Sequence, residues 1–202
     1  METTNRFEYM SKIILYIIAA MLPLWFLPLT LGVEFGREVT FSILIILGLI
    51  SWLLYVLKAG EIRFWHSPIL WAGALVFLAF GASTIFSKAP WVSAFLADPV
   101  AERFFTLLVG LVLMALSSSV FRSADEIRRA VLILIFSGGV SGILSLLQFF
   151  GWSPYQFSFL TGRLPFLGGV DFNAVGTSQA QLLFLTVLFM AALGMIVGQK
   201  DP

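Results

Sequence analysis

The chain alternates between long runs without a charged residue and short polar breaks. A helix needs about 20 apolar residues, at about 1.5 Å each, to cross a hydrocarbon core of about 30 Å. By that measure the runs predict six spans. They extend from Ile13 to Val33, Val39 to Leu57, Pro68 to about Phe86, about Phe104 to Phe121, Ala130 to about Phe150, and about Ser178 to Val197. The predicted fold is all-α: a polytopic integral membrane bundle, with residues 1–202 forming a single transmembrane domain.

Helix-start chemistry agrees with several of these boundaries. Ser67-Pro68 places a hydroxyl cap before a proline at the first helical position, where a missing N–H costs nothing. Asp98-Pro99 repeats the arrangement ahead of the fourth span, and Ser123-Ala-Asp-Glu126 is a capping box for the fifth. Pro23 and Pro28 fall inside the first span and are expected to kink it. That span is longer than the 7–15 apolar residues of a signal peptide core and has no small-residue cleavage site after it, so it is expected to be retained.

Composition turns this pattern into a class. Of 202 residues, 59% are hydrophobic and 11% charged, whereas a soluble domain carries about 45–50% and about 25%. The mean hydropathy of +0.98 points the same way. Twenty-one Phe, six Trp and four Tyr exclude a disordered chain. A net charge of +1 gives no electrostatic case for nucleic acid. With no cysteine, there is neither a disulfide framework nor a thiolate nucleophile or metal ligand.

The basic residues orient the bundle. Arg6, Lys12, Lys58, Arg63, Arg122, Arg128, Arg129 and Lys200 fall on one side; Arg37, Lys88, Arg103 and Arg163 fall on the other. Eight against four places both termini in the cytoplasm. The expected location is the inner (cytoplasmic) membrane, crossed several times. The tryptophans lie mostly near span ends, as an interfacial belt does. Ser137, Gly138, Ser141, Gly142 and Ser145 form a small-residue face on the fifth span, which predicts a close helix neighbour within the chain or a dimer seam. No Asp, Glu, Lys or Arg lies mid-span and no internal repeat is evident, both of which argue against an ion-coupled transporter.

Candidate chemistry concentrates in two outward loops. Arg103 follows the Asp98 cap by just over one helical turn; Arg163 lies in a segment from Gly151 to Thr177 broken by prolines and glycines. A guanidinium fork binds phosphate oxygens through two parallel charge-assisted bonds, and more strongly where water is partly excluded. The same two arginines also fit an ordinary interfacial role, snorkelling or paired with Glu102 or Asp171. The sole histidine, His66, sits on the opposite side and reads as an interfacial residue. There is no phosphate-binding glycine loop, no metal-ligand cluster and no serine triad. No catalytic residue is assigned.

Three segments, taken in order, resemble the O-antigen ligase and O-antigen polymerase superfamily. The first is Gly81-Ala-Ser-Thr-Ile-Phe-Ser-Lys-Ala-Pro-Trp-Val-Ser93 with Arg103-Phe-Phe-Thr-Leu-Leu108. The second is Ile143-Leu-Ser-Leu-Leu-Gln-Phe-Phe-Gly-Trp152, and the third Arg163-Leu-Pro-Phe-Leu-Gly-Gly-Val-Asp-Phe-Asn-Ala174. The likeness covers roughly Pro68 to Met190. It implies a membrane glycosyltransferase of the cell envelope, acting at the outer face in lipopolysaccharide or polysaccharide biosynthesis. Such enzymes pass a glycan from a polyprenyl-diphosphate carrier to lipid A core, a growing polymer or a protein. The resemblance further implies that no metal or other cofactor is needed, and that Arg103 and Arg163 hold the donor diphosphate.

The chain also departs from the family. Asp171-Phe-Asn173 keeps only the second of two usual asparagines, and the usual glycine before the first arginine is missing from Ala97-Asp-Pro-Val-Ala-Glu-Arg103. Family members have about twice as many spans, with an acceptor-activating histidine in a later outward loop. The chain is therefore expected to be the N-terminal half of a larger protein, inactive in transfer alone and completed by a C-terminal half or partner subunit. Two other readings stand beside this one: a transporter or lipid flippase subunit, and a non-catalytic assembly module using the Gly138/Gly142 face.

Overall fold

The computed structural model describes residues 2–24, 33–60, 68–96, 104–151 and 178–197. Among these residues the chain is all-helical, with six α-helices, one π-helical turn and no strand. The helices are α1 (Glu2–Met21), α2 (Val33–Ala59), α3 (Pro68–Ile85), α4 (Phe104–Val120), α5 (Ala124–Phe149) and α6 (Ser178–Val197). The π-helical turn, Val92–Leu96, lies between α3 and α4. Packing divides the chain into two units, Met1–Leu15 with Glu38–Glu126 and Tyr16–Arg37 with Ile127–Pro202.

The sequence pattern places the starts of α3, α4 and α6 where they occur. It misplaces α1. Instead of a kinked helix from Ile13 to Val33, α1 begins at Glu2 and ends at Met21. The polar stretch ahead of Ile13 is helical because Glu8 and Lys12, one turn apart, pair at 2.8 Å. The Ser11 hydroxyl is also satisfied within the helix, donating to the Phe7 carbonyl at 3.0 Å. Pro23 does not kink this helix; it sits fully buried in the turn after its end. Proline lacks an N–H and crowds the preceding turn, so a stop costs less than a bend.

Two glycines close the longest helices. Gly60 follows α2 at φ 69° and donates to the Val56 carbonyl at 2.9 Å. Gly151 follows α5 at φ 84° and donates to the Gln148 carbonyl at 2.9 Å. Both occupy the left-handed region, which a side chain disfavours and which lets the chain cap its last carbonyls. At the start of α5, Ser123 Oγ accepts from the Glu126 amide at 3.3 Å, as the capping box predicts. The return bond goes one residue further back, to the Arg122 amide, at 2.8 Å.

In the first unit, α2 and α4 run parallel in constant register. Glu38 meets Thr106, Gly48 faces Leu116, and Tyr55 meets Arg122. Gly48 makes this approach possible: a Cβ there would lie 3.0 Å from Leu116 Cδ2 and 3.4 Å from Ile14 Cγ2. Helix α3 runs antiparallel to α4, with Gly73 against Met114 and Gly81 against Phe104. The Phe77 and Phe104 rings stack with centroids 4.6 Å apart.

In the second unit, α5 and α6 are antiparallel. The small-residue face of α5 meets α6 within the same chain: Gly138 accommodates Leu188 and Phe184, and Gly142 accommodates Leu185. Ser137 Oγ donates to the Ala19 carbonyl at 3.3 Å, tying in the second half of α1.

Two helical stretches, Glu38–Ala59 and Ala124–Phe149, are long and apolar enough to cross a membrane. At 22 and 26 residues they extend about 33 and about 39 Å. Only 17% of each apolar stretch is buried, unlike the core helix of a water-soluble protein. Large apolar side chains such as Leu57, Phe86 and Phe149 are about four-fifths exposed.

The α5–α6 seam yields a paired prediction. Gly138→Ala should be less stable than Gly139→Ala by about 1–3 kcal/mol, because its new methyl overlaps the buried Leu188 while Gly139 faces open space. Thermal unfolding of both variants in the same detergent checks this; equal midpoints would contradict the close seam.

Candidate functional site

In unit 1 the polar ties between α2 and α4 lie at two opposite ends. At one end are the beginnings of α2 and α4. Thr106, in the first turn of α4, donates its hydroxyl to Glu38 Oε1 at 2.8 Å. A carboxylate is favoured there by the partial positive charge of the α4 N-terminus. One turn along α2, Ser42 Oγ is buried without a hydrogen-bond partner among the described residues.

The same turn of α4 opens onto an apolar groove between α3 and α4. Its volume is about 280 Å³, and it is lined by Val76 and Phe77 on α3 and by Thr106, Leu107, Gly110 and Met114 on α4, among others. Thr106 supplies a hydroxyl at its polar mouth, and Gly110 keeps one wall low, with nothing near its Cα hydrogens. Beyond α3, Ser93 donates to the Ser87 hydroxyl at 3.1 Å, closing the connection back on itself.

At the opposite end, α1, α2 and the α4–α5 corner meet in an ionic network. Lys12 bridges Glu8 and Glu126, with 2.8 Å to each. Arg122 Nε lies 3.5 Å from Glu8 and its other end donates to the Tyr55 hydroxyl. Lys58 stands 4.7 Å above the Phe7 ring. The structure thus brings together Lys12, Lys58 and Arg122, which the charge pattern had assigned to one side. Burial alone would lower the Lys12 pKa, but hydrogen bonds to Glu126 and Glu8 outweigh it and hold the ammonium above its ordinary value.

Unit 2 holds a buried amide that the sequence reading had not singled out. Gln181, in the first turns of α6, is 5% exposed. Its Oε1 accepts from Ser145 at 2.8 Å, and its Nε2 donates to the Ser141 carbonyl at 3.3 Å. The signal was available: a serine stripe on α5 needs hydrogen-bond partners if it faces an apolar helix. The serines serve as clamp partners for α6.

The two arginines expected to bind diphosphate, Arg103 and Arg163, lie outside the described residues. So do Asp98, Glu102, Asp171, Asn173 and His66. What the structure supplies is the setting immediately after Arg103: Phe104 packed on Gly81 and Phe77, then Thr106 on Glu38. The sequence pattern alone assigns Glu38 no role. Among the described residues, no group of three His, Cys, Asp or Glu side chains converges on a metal position. No protein-family model, characterised protein or solved structure matches the chain.

The network sets an alkaline limit. A folded pKa raised above the unfolded one contributes stability fully below the unfolded value, about 10.4 for lysine, and loses it as pH rises through the folded value. Lys12→Met should therefore cost about 1 kcal/mol at neutral pH, and the gap from wild type should close at strongly alkaline pH. Denaturation curves of both proteins from neutral pH upward test this, and a gap that persists at the alkaline end would count against it.

Proposed function

We propose that this is a multi-pass protein of the inner (cytoplasmic) membrane, with six spans and both termini cytoplasmic. It binds a polyprenyl-diphosphate-linked glycan at the outer face as the donor side of an O-antigen ligase or polymerase type of glycosyltransferase. Arg103 and Arg163 hold the diphosphate. The glycan then passes to a lipid, polysaccharide or protein acceptor.

The observation that carries this reading is the α3–α4 groove. Thr106, in the turn that directly follows Arg103 in the chain, is one of its lining residues. A lipid diphosphate needs a cationic site for its head next to an apolar trough for its tail; the trough is lined from the first turn of α4, and Arg103 precedes that turn in the chain. The ordered resemblance of the three segments supports the same ligand class. The predominantly apolar exposed surface supports a bilayer setting, since large exposed apolar patches in water drive association. The grouping of Lys12, Lys58 and Arg122 at the end away from the groove supports the orientation.

Three further helices, α3, α4 and α6, fit as spans of modest length. The apolar stretches Leu70–Ile85, Phe104–Val120 and Gln181–Val197 extend about 25 Å at about 1.5 Å per residue. A bilayer accommodates such stretches by local thinning at modest cost.

The test is direct binding. The purified chain in lipid nanodiscs should bind polyprenyl diphosphate, and Arg103→Ala or Arg163→Ala should weaken it at least tenfold, about 1.4 kcal/mol. Both variants should retain wild-type membrane insertion. Wild-type affinity in both variants would remove the assignment.

A further inference from the structure

Glycines on both sides of the α3–α4 seam are filled by a side chain from the other helix, except one. Gly73 is met by Met114, and Gly81 by Phe104. At Gly110, among the described residues, nothing lies within 4 Å of where a Cβ would stand. The antiparallel register shows why. One turn on from the Gly73–Met114 contact, α3 reaches Phe77 and α4 reaches Gly110. Phe77 is the large side chain at that level, but its ring stacks on Phe104, which Gly81 lets lie against α3. The stack holds the ring toward one end of the groove and leaves the Gly110 level open.

Packing gives no reason for a glycine at this position. A glycine inside a helix weakens it relative to alanine, and an alanine methyl here would meet no described neighbour. Gly139 and Gly194 are open in the same way, but neither lines this groove. The dimensions of the groove say what the space admits. Spread along the rise of about 12 Å from Thr106 to Met114, its volume of about 280 Å³ makes it about 5 Å across. Carbon atoms in contact stand about 3.5–4.0 Å apart, so one hydrocarbon chain fits and two side by side do not.

We infer that Gly110 determines which tail the groove admits: the missing side chain leaves room for a single polyprenyl chain lying along α4, against Phe77, Leu107 and Leu111. Each isoprene unit bears a methyl branch, and a wall lowered by the absent Cβ gives that branch space which a straight chain does not need. The inference rests on the donor-binding reading above for the identity of the chain, and it needs no contact from either arginine.

The test uses the full chain in phosphatidylcholine nanodiscs and an uncharged polyprenol with a photoreactive diazirine in its first isoprene unit, the crosslinked residues being mapped by mass spectrometry. Wild type should be labelled at the α3–α4 groove. Gly110→Leu should lower that labelling about tenfold, because its side chain keeps methylenes out of apolar burial. Gly110→Ala should give a partial loss, and Gly139→Leu none. Gly110→Leu should also melt no lower than wild type, since leucine favours a helix over glycine; the lost label then reports the groove and not a damaged fold. Unchanged labelling in Gly110→Leu, or equal wild-type labelling by a straight-chain alcohol of the same length, would overturn the role of Gly110. The donor-binding reading would still stand if Arg103→Ala weakens polyprenyl diphosphate binding. A wild-type groove that takes no label overturns the Gly110 role, and failure to bind polyprenyl diphosphate as well overturns both.

Discussion

The parallel alignment of α2 with α4 is the constraint on which unit 1 depends. Parallel neighbours in an all-helical chain cannot be joined by a short turn, so a third helix must carry the chain back between them. Here α3 does so, antiparallel to α4 and stacked on it through Phe77 and Phe104. Within this alignment Gly48 leaves room for the Leu116 and Ile14 side chains. Once the register is set, the polar ties between α2 and α4 fall at their two ends. Glu38 and Thr106 fall at one end; Tyr55, Lys58 and Arg122 fall at the other.

The two ends are different kinds of electrostatic site. At the Arg122 end, each charge meets an opposite charge or a ring: Lys12 has two carboxylates, Arg122 has Glu8 and Tyr55, and Lys58 has Phe7. Such a site is satisfied internally and anchors three elements. At the Glu38 end, the described polar groups include a carboxylate, a hydroxyl and the α4 N-terminus beside an apolar groove.

Much of the helix pattern was legible in the sequence because charge is so scarce that each polar break marks a boundary. The starts at Pro68, Phe104 and Ser178 follow from that pattern, and the Ser123–Glu126 cap follows from local hydrogen bonding. The small-residue face of α5 predicted a close helix, which is α6. Helix α1 was misread for a physical reason. Apolar runs report where a chain can be buried, whereas helix formation there depends on the Glu8–Lys12 pair and on Pro23 ending the helix. The Glu38–Thr106 and Gln181–Ser145 contacts were not legible, since each joins residues far apart in the chain whose meeting depends on helix register. Arg103 and Arg163 were named from sequence alone, and the described residues locate only the turn that follows the first.

The groove gives that turn its meaning. Interfacial arginines are common and apolar troughs between helices are common, and neither alone selects a ligand. In the proposed reading the two act together, and would favour molecules in which a strong anion joins directly to a long hydrocarbon. From Thr106 to Met114 the α4 wall rises about 12 Å along the helix axis, enough to seat the first part of a chain while the rest lies in lipid. Free phosphate would have the head contact without the apolar burial, and a neutral lipid the reverse. Under the proposed reading, affinity that requires both terms would be a selection rule for a lipid-linked donor.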